Sequence, residues 1–131
     1  MNEHVVTGDL AEQLFICRGL SLGWEVSKPL NSSRPYDLLI RRLDSTLWET
    51  VQVKCAFTIK TPTGPAKECE LRVGNRGGTT KQRRLYQTGD FDQLAIIDGE
   101  SIVLIPHHVI AGKGRIRIKN WQNSTYAQYV L

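Results

Sequence analysis

Thr50-Val51-Gln52-Val53-Lys54-Cys55-Ala56-Phe57 is the stretch on which the reading of this sequence turns. Its β-branched residues suit a pleated backbone, and its polarity alternates: Val51 and Val53 fall on one face of a strand, Gln52 and Lys54 on the other. One face can enter a core while two polar side chains project together from the opposite one. A second strand is expected upstream over 36–41, where Asp37 precedes the apolar run Leu38-Leu39-Ile40. An ionised carboxylate in such a setting is costly unless something pairs with it. A lone Asp there serves about as often as a strand-end cap as a ligand. If the two strands are sheet neighbours, however, Asp37, Gln52 and Lys54 converge.

Working outward, Val6, Leu10, Leu14 and Cys17 recur at helical spacing and predict an amphipathic helix over 2–19, with Gly19 as its stop. A short strand is expected at 24–26, a loop at 29–35, a turn near 61–65 and a strand at 68–73. A Gly-rich basic loop at 76–80 should open onto a short helix over 81–87. Leu94 to Ile97 and Ile102 to Ile105 read as a hairpin joined through Asp98-Gly99. A helical turn at 107–111 and a last strand at 115–119 follow, and the tail from Trp121 has no assignment. The expected class is α/β (α+β), one domain over 1–131 built on a single mixed β-sheet flanked by helices.

Composition excludes several classes. No apolar run approaches the ~20 residues of a membrane span, and the N-terminus lacks a secretory pattern, so a cytoplasmic protein without membrane partners is expected. Cys17, Cys55 and Cys69 form no Cys-x-x-Cys pair. They are read as reduced, mostly buried thiols rather than disulfides or zinc ligands. The net charge of +4 is modest, but its distribution is uneven. Arg76, Lys81, Gln82, Arg83 and Arg84 form a basic segment with polar neighbours suited to phosphate and base-edge contacts. Lys113, Arg115, Arg117 and Lys119 alternate with smaller or apolar residues, which on a strand places cations roughly 6.6 Å apart along one face. That face either follows a phosphate backbone or is simply solvated.

Phosphodiester hydrolysis needs a hard cation on oxygen ligands, an activated water, and positive charge near the phosphorane. The Asp37 carboxylate, the Gln52 amide oxygen and the Val53 carbonyl would supply oxygens for Mg²⁺, with Mn²⁺ able to substitute. Lys54 would supply the charge. His107 and His108 lack partners at ligand spacing and are read as surface residues, and Trp24, Trp48 and Trp121 as core or interface.

The runs Pro35-Tyr36-Asp37-Leu38-Leu39-Ile40 and Val51-Gln52-Val53-Lys54-Cys55-Ala56 together resemble the PD-(D/E)xK nuclease motif. The likeness is to the Gln-x-Lys branch that includes a cyanobacterial group I intron homing enzyme. Gly8-Asp9-Leu10-Ala11-Glu12, Tyr86, Asp90-Phe91-Asp92-Gln93-Leu94-Ala95 and Leu104-Ile105-Pro106 follow in the same order. The resemblance implies a restriction-endonuclease-like fold and a metal-dependent endonuclease acting on double-stranded DNA, of homing or mobile-element and phage type. It also implies a homo-oligomer, dimer or tetramer, associated with DNA. Glu12 matches a helix glutamate that approaches the metal through water in related resolvases and nucleases; by periodicity alone it belongs to a solvated helical face. Gln52 stands where most members carry an acid, which lowers the charge of the site by one. Alternatives are a Holliday-junction resolvase, a catalytically silent DNA-binding module of the same fold, and an interaction domain unrelated to nucleic acid.

Overall fold

The computed structural model describes residues 8–31, 33–73 and 84–131. In chain order its elements are α1 (Gly8–Ser21), β1 (Glu25–Ser27), β2 (Leu38–Arg41), β3 (Trp48–Cys55), β4 (Phe57–Thr61), β5 (Gly64–Glu70), β6 (Arg72–Val73), β7 (Arg84–Leu85), β8 (Gln93–Asp98), β9 (Ser101–Pro106), α2 (His107–Ile110) and β10 (Arg115–Ile118). Two 3-10 turns, Trp121–Asn123 and Ala127–Tyr129, fill the tail. The main sheet has five strands in the order β1-β2-β3-β8-β9. Strand β3 pairs β2 antiparallel and β8 parallel, so the decisive stretch lies in the middle of the sheet.

This sheet is buried on both faces. Against one lies α1, whose Ala11 and Phe15 pack on Leu38, Ile40, Val51, Ala95 and Ile97. Against the other, Leu94, Ile96, Val103 and Ile105 meet Cys69, Leu71, Ile116 and Trp121. A strand covered on both sides needs no polar face, which is why β8 reads as an unbroken apolar run. The β8–β9 hairpin closes with Asp98 opposite Ser101, and Gly99, at φ 59°, is the first of its two central residues. That is the glycine-first pattern of a type II′ turn.

Several expectations are corrected. The described sheet is not single: β10-β5-β4 form a second, three-stranded sheet and β6-β7 a short ladder. The strand expected over 50–57 breaks at Ala56, whose N–H bonds Ile97 O at 2.9 Å, and Phe57 begins a strand of the second sheet. Both pieces are extended, so alternation runs through the break unnoticed. Helix α1 continues past Gly19 to Ser21. Gly19 is a packing position instead, since a Cβ there would come within 3.2 Å of Val26 Cγ2. The buried stripe is Ala11, Phe15 and Gly19, whereas Cys17 is exposed. Leu14 is half-buried at its margin, and Val6 lies outside the described residues. Residues 84–85 are strand rather than helix. Of the thiols only Cys69 is buried, its pKa pushed up to about 12 by desolvation. Among the described residues no helix is long and apolar enough to cross a membrane.

The unassigned tail proves structural. Trp121 is buried and its indole N–H donates to Asp98 Oδ2 at 2.9 Å. Val130 bridges Val103, and Leu131 N–H donates to Ile102 O at 2.8 Å, which lays the chain end along β9.

The two versions of the helix stripe make different predictions. Phe15→Ala should cost about 3–5 kcal/mol in urea unfolding, as for a fully buried aromatic, while Cys17→Ala should change stability by less than about 0.5 kcal/mol. Comparable losses at both positions would mean that the helix packs through the wider stripe.

Candidate active site

Gln52 and Lys54 share one face of β3, and Asp37 reaches the backbone between them. Its carboxylate Oδ2 accepts the Val53 N–H at 2.8 Å. Its own N–H donates to Val51 O at 2.8 Å, although Val51 is already the register partner of Leu38. Two residues thus face one, in the manner of a β-bulge, a device that re-aims side chains beside functional sites. Asp37 therefore stands one residue before β2 rather than inside it. Its side chain does what a main-chain carbonyl would do in a regular ladder. The Gln52 amide Nε2 donates to Val53 O at 3.3 Å, so Asp37, Gln52 and Val53 form one local cluster.

Lys54 is directed to the rim of this cluster. Its Nζ donates to Arg72 O at 3.2 Å and lies 5.8 Å from the centre of the Tyr86 ring. Glu12 comes in from α1. Its side chain is only 14% exposed, and Oε1 lies 2.7 Å from Lys28 Nζ. The solvated-face reading of Glu12 does not fit that burial. Desolvation raises the pKa of Asp37 above its ordinary value, and the Glu12 carboxylate pushes it the same way. The Val53 N–H, Lys54 and Lys28 oppose the rise. Each named group thus lies within electrostatic reach of Asp37.

Lys28 escaped the sequence reading, and no spacing rule would have found it. Helix α1 ends at a turn where Gly23 has φ 81°, and the chain then folds back so that β1 runs beside the helix. Only that reversal brings Lys28 to Glu12, sixteen positions earlier in the sequence. The Arg72 carbonyl, which holds Lys54, was equally invisible, since backbone acceptors leave no trace in side-chain patterns.

The donor set fits a hard cation. Asp37 Oδ1, which among the described residues has no hydrogen-bond partner, the Gln52 amide oxygen and the Val53 carbonyl are all oxygen ligands of the kind Mg²⁺ prefers. Glu12 lies on the helix side, within electrostatic reach of Asp37. Among the described residues no three His, Cys, Asp or Glu side chains group as a metal cage.

The basic residues are distributed differently. Arg76, Lys81, Gln82 and Arg83 lie outside the described residues. Arg84 forms a two-point ion pair with Asp90, at 2.8 and 3.1 Å, and this pair holds the Asp90 carboxyl below its ordinary range. On β10, Arg115 and Arg117 both reach Glu68 Oε1, at 3.3 and 3.2 Å. Lys119 donates to Thr61 Oγ1 and Gly64 O, and Lys113 to the Tyr126 hydroxyl. Arg115 and Arg117 flank the buried Ile116, as the alternation predicted. Among the described residues, the hydrogen bonds and ion pairs of Arg84, Lys113, Arg115, Arg117 and Lys119 all go elsewhere than to Asp37, Gln52 or Val53. The nearest link is a cleft lined by Glu70, Arg72, Lys113, Gly114 and Arg115, whose Arg72 also holds Lys54.

A two-sided mixed sheet with a carboxylate, an amide and a lysine converging at two neighbouring strands is the arrangement of a restriction-endonuclease-like nuclease. Residues 1–127 match the family described as PD-(D/E)XK endonuclease, and the chain belongs to that family. It is 33% identical over 113 residues to Protein 5.3 of Escherichia phage T7, covering 86% of this chain and 88% of that protein. Among solved structures it is similar to a bacterial homing endonuclease, I-Ssp6803I, with a TM-score of 0.74 and 25% identity over 98% of this chain and 89% of that one.

The raised Asp37 value carries a pH signature. The folded chain holds this proton more tightly than the unfolded chain, so unfolding releases it in the window above the ordinary value of 3.8. Stability is therefore lost as pH rises through that window. Asp37→Asn keeps an acceptor for the Val53 N–H and removes the loss. Urea midpoints should favour the Asn variant at neutral pH and converge with wild type near pH ~3. Parallel curves across the range would show that Asp37 titrates as an ordinary exposed carboxylate.

Proposed function

We propose that this chain is a divalent-metal-dependent endonuclease that cuts duplex DNA, of homing or phage-associated type, and works as a homo-oligomer so that two centres address two strands. The observation that carries the reading is the Asp37 carboxylate bound to the Val53 N–H between Gln52 and Lys54, in a chain of endonuclease family. The homing and phage aspects rest on its similarity to a bacterial homing endonuclease and to a phage protein.

In this reading Asp37, the Gln52 amide oxygen and the Val53 carbonyl hold Mg²⁺ or Mn²⁺, with Glu12 joining through water. The bound cation supplies a polarised water and neutralises phosphate charge. The chain's own residues do the rest. Asp37 is fixed by the Val53 N–H, so its free oxygen is presented without rotamer search. Gln52 must release the bond that its amide Nε2 donates to Val53 O, so that its amide oxygen can turn to the cation. Lys54, anchored by a neutral carbonyl and an aromatic face rather than by a carboxylate, is set against the developing phosphorane. Arg84, Lys113, Arg115, Arg117 and Lys119, with Arg76, Lys81, Gln82 and Arg83, contact the DNA backbone. Those with carboxylate partners exchange them for phosphates on binding.

With one full charge at the strand site rather than two, activity should require metal in the millimolar range. Purified protein is incubated with mixed plasmid DNA and with a four-way junction, in Mg²⁺ and in EDTA. Cleavage of linear duplex in Mg²⁺ alone is the expected outcome, and preference for the junction would favour a resolvase. Asp37→Ala and Lys54→Ala should each abolish cleavage while retaining DNA in a gel-shift assay. Wild-type protein that binds DNA but cuts none with any divalent metal would make this a silent binding module.

A further inference from the structure

Lys28 has no role in the reading above, yet it sits on the site. Its ammonium is 2.7 Å from Glu12 Oε1, and the Glu12 side chain is only 14% exposed. A carboxylate that deep needs a compensating charge, and here an exposed lysine provides it. Lys28 itself is 64% exposed, so its far end keeps access to water and can leave at little cost. Its influence is not confined to Glu12, for Asp37 also feels it, and Asp9 and Asp37 both act on the ammonium in return.

The charges of the site then balance in a particular way. Glu12 and Asp37 are negative, Lys28 and Lys54 are positive, and Gln52 contributes nothing. Lys54 is held at the rim by Arg72 O. Lys28 is the cation that lies directly on a carboxylate proposed to serve the metal, so the ammonium at Oε1 competes with a divalent ion for the charge of Glu12.

We infer that Lys28 is a resident counter-cation of the site, holding Glu12 in its buried position without metal and withdrawing when a divalent cation binds. The inference rests on the metal-dependent reading proposed above. It makes Lys28 a positioning residue that acts through Glu12 and sets the metal concentration the site requires. Removing its charge should strengthen metal binding, the opposite of what loss of a ligand or of an ordinary structural ion pair would do.

Binding of Mn²⁺ alone to the full chain, without DNA, is followed by electron paramagnetic resonance of the free ion. The proteins are wild type, Lys28→Met, Lys28→Arg and Asp37→Ala. Lys28→Met should bind roughly five- to tenfold more tightly than wild type, because the ion no longer competes with an ammonium for the Glu12 carboxylate in a partly solvated site. Lys28→Arg should resemble wild type. Because Lys28→Met leaves Glu12 uncompensated, the pair is repeated in a Glu12→Gln background, where folding does not depend on the missing charge. Most of the gain should vanish there. Equal or weaker binding by Lys28→Met than by wild type overturns the inference, as does a gain that persists in full with Gln at position 12. If neither wild type nor Lys28→Met binds Mn²⁺ better than Asp37→Ala, the metal reading fails and takes the inference with it.

Discussion

The hydrogen bond from Val53 N–H to the Asp37 carboxylate is the contact on which the rest of the site depends. A regular antiparallel ladder would satisfy that donor with a carbonyl and leave Asp37 free to rotate. The bulge at Asp37 and Leu38 removes the carbonyl and substitutes the side chain. A buried backbone donor must find a partner, so folding of the sheet itself orients the carboxylate. Strand β8 completes the constraint from the other side. It pairs β3 from Val51 to Cys55, and the Asp92 carboxylate splices the two strands through Thr50 N at 2.8 Å. The strand that bears Gln52 and Lys54 is thereby fixed on both edges.

Around this frame the ionic design is economical in charge. Two acids and two lysines surround a neutral amide, so in the absence of metal the centre carries no large excess of either sign. Burial still makes the Asp37 anion costly, a cost that a positive charge beside it relieves, as Lys54 and Lys28 do in part. The basic residues farther out are also provided with internal partners, Glu68 for Arg115 and Arg117, Asp90 for Arg84. The Arg115 and Arg117 pairs are partly exposed and hold weakly, ordering the side chains without committing them. The Arg84 pair closes at two points on a buried Asp90 and holds more firmly.

What the sequence made legible follows from the range of the signals. The alternation of Gln52 and Lys54, the Asp98-Gly99 turn and the helical turn after Pro106 depend on neighbours a few positions apart, and all appear in the fold. The Asp37 cluster was legible because family resemblance supplied the pairing of its two strands. The break at Ala56 was not, since an extended chain that changes sheets keeps its two-residue period. The helix stripe was misplaced because Leu10, Ala11, Leu14 and Phe15 offer two adjoining apolar lines, and packing on the sheet selected the one with the small residues Ala11 and Gly19. Lys28, the Arg72 carbonyl and the course of the tail along β9 depend on contacts between distant segments and had no local signature.

The tail laid along β9 bears on how this sheet avoids joining other sheets. An open edge offers unpaired backbone groups to any extended segment nearby. At one border Val130 and Leu131 already occupy part of that position. At the other, β1 is three residues long, and Glu25 is paired with Arg41 of the adjacent strand. One border is partly covered and the other is short and charged, which lets the central strands remain strongly apolar with less open edge for other chains to join.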